Sequence, residues 1–161
     1  MSLESLWLQA IIILILILAN GFFSGSEFAI ISARRSKLDE LAKGGNRSAT
    51  IVNSLKDSPE RFLATIQIGI TIISSLASVI GGVAAIEVLK PLFLSIQVEA
   101  VQRLAEPIAV GIVVVLISYI TLIFGELIPK SLALRYAEEL ACISAIPINS
   151  LSRVASVFVG F

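Results

Sequence analysis

The chain has 161 residues, zero net charge and one cysteine; 57% of its residues are hydrophobic and only 15% are charged. Soluble domains average about 45–50% apolar and about 25% charged, so a water-soluble fold could not hide this much apolar surface and the solvent must be lipid. The lone Cys142 cannot form an intramolecular disulfide, and the absence of histidine excludes a His-based metal site or catalytic triad within these residues.

In chain order, apolar runs cover residues 6–31, 62–86 and 108–128. Each exceeds the roughly 18 residues that mark a spanning helix. The sequence therefore predicts an all-α integral membrane domain over 1–161, with spans at about 6–31, 62–86 and 108–132. The first run is not a cleavable signal peptide: no basic segment precedes it and no small-residue cleavage site follows it. Between spans 1 and 2 lie Arg34, Arg35, Lys37, Lys43, Arg47, Lys56 and Arg61, seven of the 12 basic residues. The next loop carries only Lys90 and Arg103. The positive-inside rule places residues 32–61 in the cytoplasm, the N-terminus and residues 87–106 outside, and the tail after Lys130 inside.

Within the basic loop, Ser36-Lys-Leu-Asp-Glu reads as a capped helix, Gly44-Gly45-Asn46 as a stop, and Ser58-Pro-Glu as the next helix start. Helix 1 is expected to continue out of the membrane, and a second cytoplasmic helix to lead into span 2. Lys90-Pro91 should break a helix, Gly81-Gly82 should loosen the outer end of span 2, and Glu106-Pro107 should open span 3. In the tail, Asn149, Ser152, Arg153 and Ser156 line one helical face, while Leu140, Ile143, Leu151, Val154 and Phe158 line another. That pattern predicts an amphipathic juxtamembrane helix over about 138–158, interrupted by Pro147, on the cytoplasmic side. A fourth span is the alternative. The ending Val159-Gly-Phe161 lacks polar closure, so a further cytoplasmic portion is expected.

Polar residues inside spans need a reason. Span 3 contains Phe124-Gly-Glu-Leu-Ile-Pro-Lys130. Pro129 has no N–H, so the carbonyl four residues earlier, that of Gly125, loses its helical partner beside the Glu126 carboxylate. A carbonyl and a carboxylate are ligands suited to a hard cation, and interrupted spans coordinate ions in this way. The alternative is that Glu126 pairs with Lys130 while Pro129 merely ends a helix. Span 1 contains Asn20-Gly-Phe-Phe-Ser-Gly-Ser-Glu27. Here Gly21 and Gly25 permit close helix approach, and Ser24 between them supplies a hydroxyl or merely bonds its own helix. Glu27, close to Arg34, reads as an interfacial salt-bridging residue. Span 2 adds Thr71, Ser74, Ser75 and Ser78. Ser24, Ser75 and Glu126 can meet at mid-membrane or in its inner half, and their oxygens suit Mg²⁺, Ca²⁺ or Na⁺ over softer metals.

The Phe23-Ser-Gly25, Ile73-Ser-Ser-Leu76 and Phe124-Gly-Glu-Leu-Ile-Pro-Lys130 elements resemble the transmembrane domain of the CorC/cyclin M family of magnesium transporters. The resemblance covers nearly the whole chain, and Gly-Glu-x-x-Pro-Lys is its most specific part. It departs in span 2, where some relatives carry an asparagine that this helix lacks. It implies a homodimer of three-span protomers in the plasma (cell inner) membrane, with Mg²⁺ efflux coupled to Na⁺ entry. The implied Mg²⁺ ligands are Ser24, Ser75, Glu126 and the Gly125 carbonyl, with Ser74, Ser78 and Pro129 in supporting places. ATP would act only through cytoplasmic CBS domains beyond this region. A membrane anchor and dimerisation module, or a proton-coupled transporter using Glu126, are the competing classes. An enzyme is not expected, for want of a nucleophile–base pair or cofactor motif, and membrane lipid rather than nucleic acid is the expected surrounding partner.

Overall fold

The computed structural model describes residues 3–159, with side chains from residue 6 to residue 155, and every regular element is helical. Helix α1 is Leu3–Ser32, α2 Arg35–Lys43, α3 Arg47–Asp57, α4 Pro59–Leu94, α5 Glu99–Arg103 and α6 Ala105–Leu122. A π-helical turn, Ile123–Leu127, joins α6 to α7, Ile128–Arg135, and α8 is Ala137–Val159. Three segments are long and apolar enough to cross a membrane: Leu6–Ser32, Pro59–Leu94 and Ala105–Arg135. At about 1.5 Å per residue, each exceeds the roughly 30 Å of bilayer hydrocarbon. Only 11–17% of their most apolar windows is buried within the protein. Trp7, Leu14, Ile72, Val79, Val115 and Tyr119 all point outward. In water this surface would drive aggregation, whereas in lipid it is solvated. The chain is a multi-pass membrane protein.

The apolar core lies not among the spans but at one end of them. Ala29, Ile30, Leu38, Val52, Phe62, Ile66, Ala133, Ala141 and Ile148 form one buried cluster where α1, α2, α3, α4, α7 and α8 converge. Polar contacts fasten this end. Lys56 Nζ donates to the carbonyls of Ile30 (3.0 Å), Ile31 (3.0 Å) and Ala33 (2.6 Å), capping the exposed end of α1 with a cation where the helix dipole is negative. Burial, and after it the charge of Arg35, holds the Lys56 ammonium below its usual pKa range. Arg34 Nε donates to Glu138 Oε1 at 3.1 Å, tying the start of α8 to the exit of α1.

Several sequence expectations are corrected here. Helix α1 does not run on past the first apolar run: it ends at Ser32, and two short helices follow before span 2. Ser36 is not a cap; Arg34, extended and without a side-chain cap bond, precedes α2. The stop at 44–46 does form, with Gly45 at φ +92°, a conformation glycine adopts without strain. Asn46 then caps α3, its Oδ1 accepting from the Ala49 amide at 3.2 Å. Pro91 does not break α4, because it lies in the last turn and forfeits a single ladder bond. Gly81-Gly82 does not loosen α4 either: a Cβ at Gly81 would strike Ile117, so this glycine serves the approach of α6. Pro107 sits in the first turn of α6, as expected.

Pro147 does not interrupt α8, which runs unbroken through it. Ala137, Ala141, Ser144, Ala145, Ile148 and Ser152 face the protein, while Ile143, Ile146, Leu151 and Val154 face outward. The physical reason is size: small residues let α8 lie close against α1 and α3, and the large aliphatic ones are left to the surroundings. The side chains of Ser156 and Phe158 lie outside the described residues.

Candidate ion site

A cleft of about 390 Å³ opens between α1, α4, α6 and the π-turn. Its polar lining is Asn20, Ser74, Ser78, Ser118, Thr121 and Glu126, set among Leu16, Ile17, Ile73, Ala77, Ile117 and Leu122. Glu126 is its sole carboxylate, and among the described residues no cluster of three or more His, Cys, Asp or Glu side chains exists. Any cation held here would meet one negative charge and several neutral oxygens.

The π-turn changes the hydrogen-bond bookkeeping around Pro129. The Ile128 N–H bonds to the carbonyl of Ile123, five residues back, so the four-residue relation between Pro129 and Gly125 does not govern this turn. The expected free carbonyl is corrected accordingly: Asn20 Nδ2 donates to the Gly125 oxygen at 3.0 Å, from α1 to the π-turn. A carbonyl has two lone pairs, so one bond does not exhaust it. The side chain that makes the bond is 2% exposed, and its own Oδ1 has no partner. One turn further along α1, Ser24 is 1% exposed and its Oγ is also unpartnered. Positions 20 and 24 share a helix face. Two buried orphan oxygens on one stripe are unusual in folded proteins, where nearly all such atoms are satisfied.

Gly21 and Gly25 seat the proline. A Cβ at Gly21 would lie 3.0 Å from Pro129 Cγ and 3.1 Å from the Phe124 oxygen, and one at Gly25 would lie 3.2 Å from Pro129 Cβ. Pro129 therefore packs against α1 and lines no part of the cleft.

Of the residues singled out by sequence, Glu126 lines the cleft and Gly125 is buried beside it. Ser74 and Ser78 also line it, with Ser78 Oγ donating back to the Ser74 carbonyl at 2.9 Å. Ser75 is exposed, and neither Ser75 nor the buried Ser24 is among the lining residues. Glu126 Oε2 also approaches Lys130 Nζ at 3.5 Å, and that ammonium lies 5.1 Å from the centre of the Phe28 ring. Both halves of the pair remain partly exposed, at 42% and 33%. Glu27 makes no ion pair among the described residues, since Arg34 turns to Glu138. Asn20, Ser118 and Thr121 were missed. For Asn20 the signal was present: an amide in the middle of an apolar span.

Comparison with known proteins fits this architecture. The profile of the cyclin M transmembrane N-terminal domain matches residues 11–161. The chain is 40% identical over 139 residues to the UPF0053 protein sll0260 of Synechocystis, covering 86% of this chain and 31% of that protein. It is 32% identical over 149 residues to the UPF0053 protein YhdP of Bacillus subtilis, covering 92% and 33%. With the UPF0053 inner membrane protein YfjD of Escherichia coli it shares 30% identity over 122 residues, covering 76% and 25%. The chain thus spans about a third or less of the length of these relatives. Three spans, an interrupted third helix and a match along almost the entire length lead to one conclusion: this chain belongs to the cyclin M transmembrane domain family.

Proposed function

We propose that this chain is the ion-translocating part of a magnesium transporter, moving Mg²⁺ out of the cytoplasm against Na⁺ entry, as a homodimer. The N-terminus lies outside and the C-terminus in the cytoplasm of the cell inner membrane. The observation that carries the reading is the pair of buried, unpartnered oxygens, Asn20 Oδ1 and Ser24 Oγ, on the α1 face that meets the Gly125 carbonyl next to Glu126. Mg²⁺ takes oxygen ligands in near-octahedral geometry and gives up its water reluctantly. Glu126 supplies the charge that offsets dehydration; Asn20, Ser24 and the Gly125 carbonyl supply neutral donors. Ser74 and Ser78 face the cleft in this conformation, and a rotation of α4 by about 100°, one residue's advance, would bring Ser75 round in their place. Such a rearrangement of one helix about a fixed site is a natural way to alternate access. Any ATP control would act through cytoplasmic domains beyond this region.

The Glu126–Lys130 contact favours a second reading, in which the polar residues only hold helices together. Isothermal titration with Mg²⁺ separates the two. The ion-site reading expects Glu126→Gln to abolish binding with insertion and assembly intact, and Lys130→Gln to bind. The structural reading expects the two variants to be equally damaged in folding. Wild-type-like binding by Glu126→Gln would end the ion-site proposal.

A further inference from the structure

At the cytoplasmic end, away from the ion cleft, α3, α4 and α8 enclose a second cleft of about 230 Å³. Its polar lining is Ser54, Ser58, Arg61, Asn149, Ser152 and Arg153, with Leu55 the one apolar side chain. Arg61 and Arg153 line it and no carboxylate does, although Glu60 stands beside Arg61 in the first turn of α4. Asp57, the nearest acidic residue in sequence on α3, is already paired with Arg35 at 2.8 Å. Ser58 begins α4 without a side-chain cap bond, so the first amides of a 36-residue helix, Pro59–Leu94, are left uncapped at this cleft. Helix N-termini of that kind attract anions.

A second observation is independent of the helix end. Ser152 is 6% exposed, lines the cleft, and makes no side-chain hydrogen bond among the described residues. Ser26, Ser78, Ser144 and Ser150 satisfy their hydroxyls on the carbonyl one turn back. Ser152 does not. A buried hydroxyl without a partner, lining the same cleft as Arg61, is suited to a tetrahedral oxyanion, which accepts from hydroxyl, amide and guanidinium donors together.

We infer that this cleft binds a phosphate group through Arg61, Arg153, Ser152, Asn149 and the start of α4. Arg61 lies within the first turn of the candidate span Pro59–Leu94, at headgroup level if the basic loop is cytoplasmic. Leu151 and Val154 of α8 face outward beside it, where acyl chains would lie. A phospholipid headgroup and a soluble phosphate offer the same chemistry, and the experiment distinguishes them.

The purified chain in phosphatidylcholine nanodiscs is titrated with dihexanoyl phosphatidic acid, with inorganic phosphate, and with dihexanoyl phosphatidylcholine as the control, following phosphorus NMR line widths. Saturable binding of phosphatidic acid alone assigns the site to lipid; saturable binding of both phosphates assigns it to phosphate in general. In either case Arg61→Gln should weaken binding about tenfold, the scale of one charge-assisted hydrogen-bonded contact. Ser152→Ala should weaken it by a smaller factor, and Lys43→Gln, a cation of the same cytoplasmic region outside the cleft, should leave it unchanged. Absence of saturable binding, or equal weakening by Lys43→Gln and Arg61→Gln, overturns the inference.

Discussion

At the residue scale, Asn20 shows how one amide can serve two purposes. Its Nδ2 closes the bond to the π-turn at 3.0 Å, while its Oδ1 stays buried and unpartnered. Interhelical hydrogen bonds within membranes are worth only about 0.6 kcal/mol on average and ~1.7 kcal/mol at most, so Asn20→Leu should lower stability by no more than that range in chemical denaturation from detergent. On the ion-site proposal its effect on Mg²⁺ binding should be far larger, because the change removes a proposed ligand and releases the Gly125 carbonyl from its place. A stability loss that alone accounts for the binding loss would show Asn20 to be structural only. Glu138 gives a pH prediction outside the spans. The hydrogen bond from Arg34 chiefly holds its pKa below the usual glutamate value, with Lys37 adding a weaker pull against the cost of burial. A carboxyl depressed in the folded state stabilises fully above its unfolded value of about 4.3, and loses that contribution as pH falls through the folded value. The protection of amides at the start of α8, measured against the intrinsic exchange rate at each pH, should therefore fall below about pH 4, an effect that Glu138→Gln should abolish by removing the titrating group.

At the element scale, the third span is interrupted by fit as much as by sequence. The π-turn and Pro129 press into the Gly21–Gly25 groove of α1, where added methyl groups would stand 3.0–3.2 Å from the proline ring. Overpacking of this kind costs about 1–3 kcal/mol, so Gly21→Ala and Gly25→Ala should each reduce thermal stability and move the π-turn. Gly82→Ala makes the control, since nothing lies within 4 Å of a Cβ there. Replacing a helical glycine by alanine in open space should be neutral or stabilising by up to about 1 kcal/mol. Melting temperatures of the three variants check the contrast, and a Gly82→Ala loss as large as that of Gly21→Ala would refute the groove argument.

At the scale of the whole molecule, the spans are thinly packed, whereas the end where α2, α3 and α8 gather is not. Lipid solvates the outward faces of the spans, whereas α2, α3 and α8 bury Leu38, Val52 and Ile148 completely. Orientation is testable in the same terms. In a Cys142→Ala background, cysteine at Gly45 should be labelled only from the cytoplasmic side and cysteine at Gln97 only from outside. The native thiol must be removed although burial, and then Glu138, pushes its pKa up and slows its reaction. Labelling of both positions from one side would contradict the three-span topology.

The sequence by itself determined the solvent, the number of spans within a few residues of their ends, and the Gly-Glu-x-x-Pro-Lys element around which the candidate site is built. Hydropathy runs and a proline in a span are local properties, legible from spacing alone. Tertiary structure decided the rest. Whether Pro129 frees the carbonyl of Gly125 depended on an inserted π-turn, and that turn lies against the close approach of α1. Which serines face the cleft depended on the rotation of α4, since Ser74 and Ser75 are about 100° apart and only one of them can point inward. The direction of α8 depended on the small residues that fit against α1 and α3, a criterion of volume that a polarity pattern does not contain. Asn20 could be read as a polar residue in lipid, but its partner lies 105 positions away in the chain, and only folding brings the two within 3.0 Å.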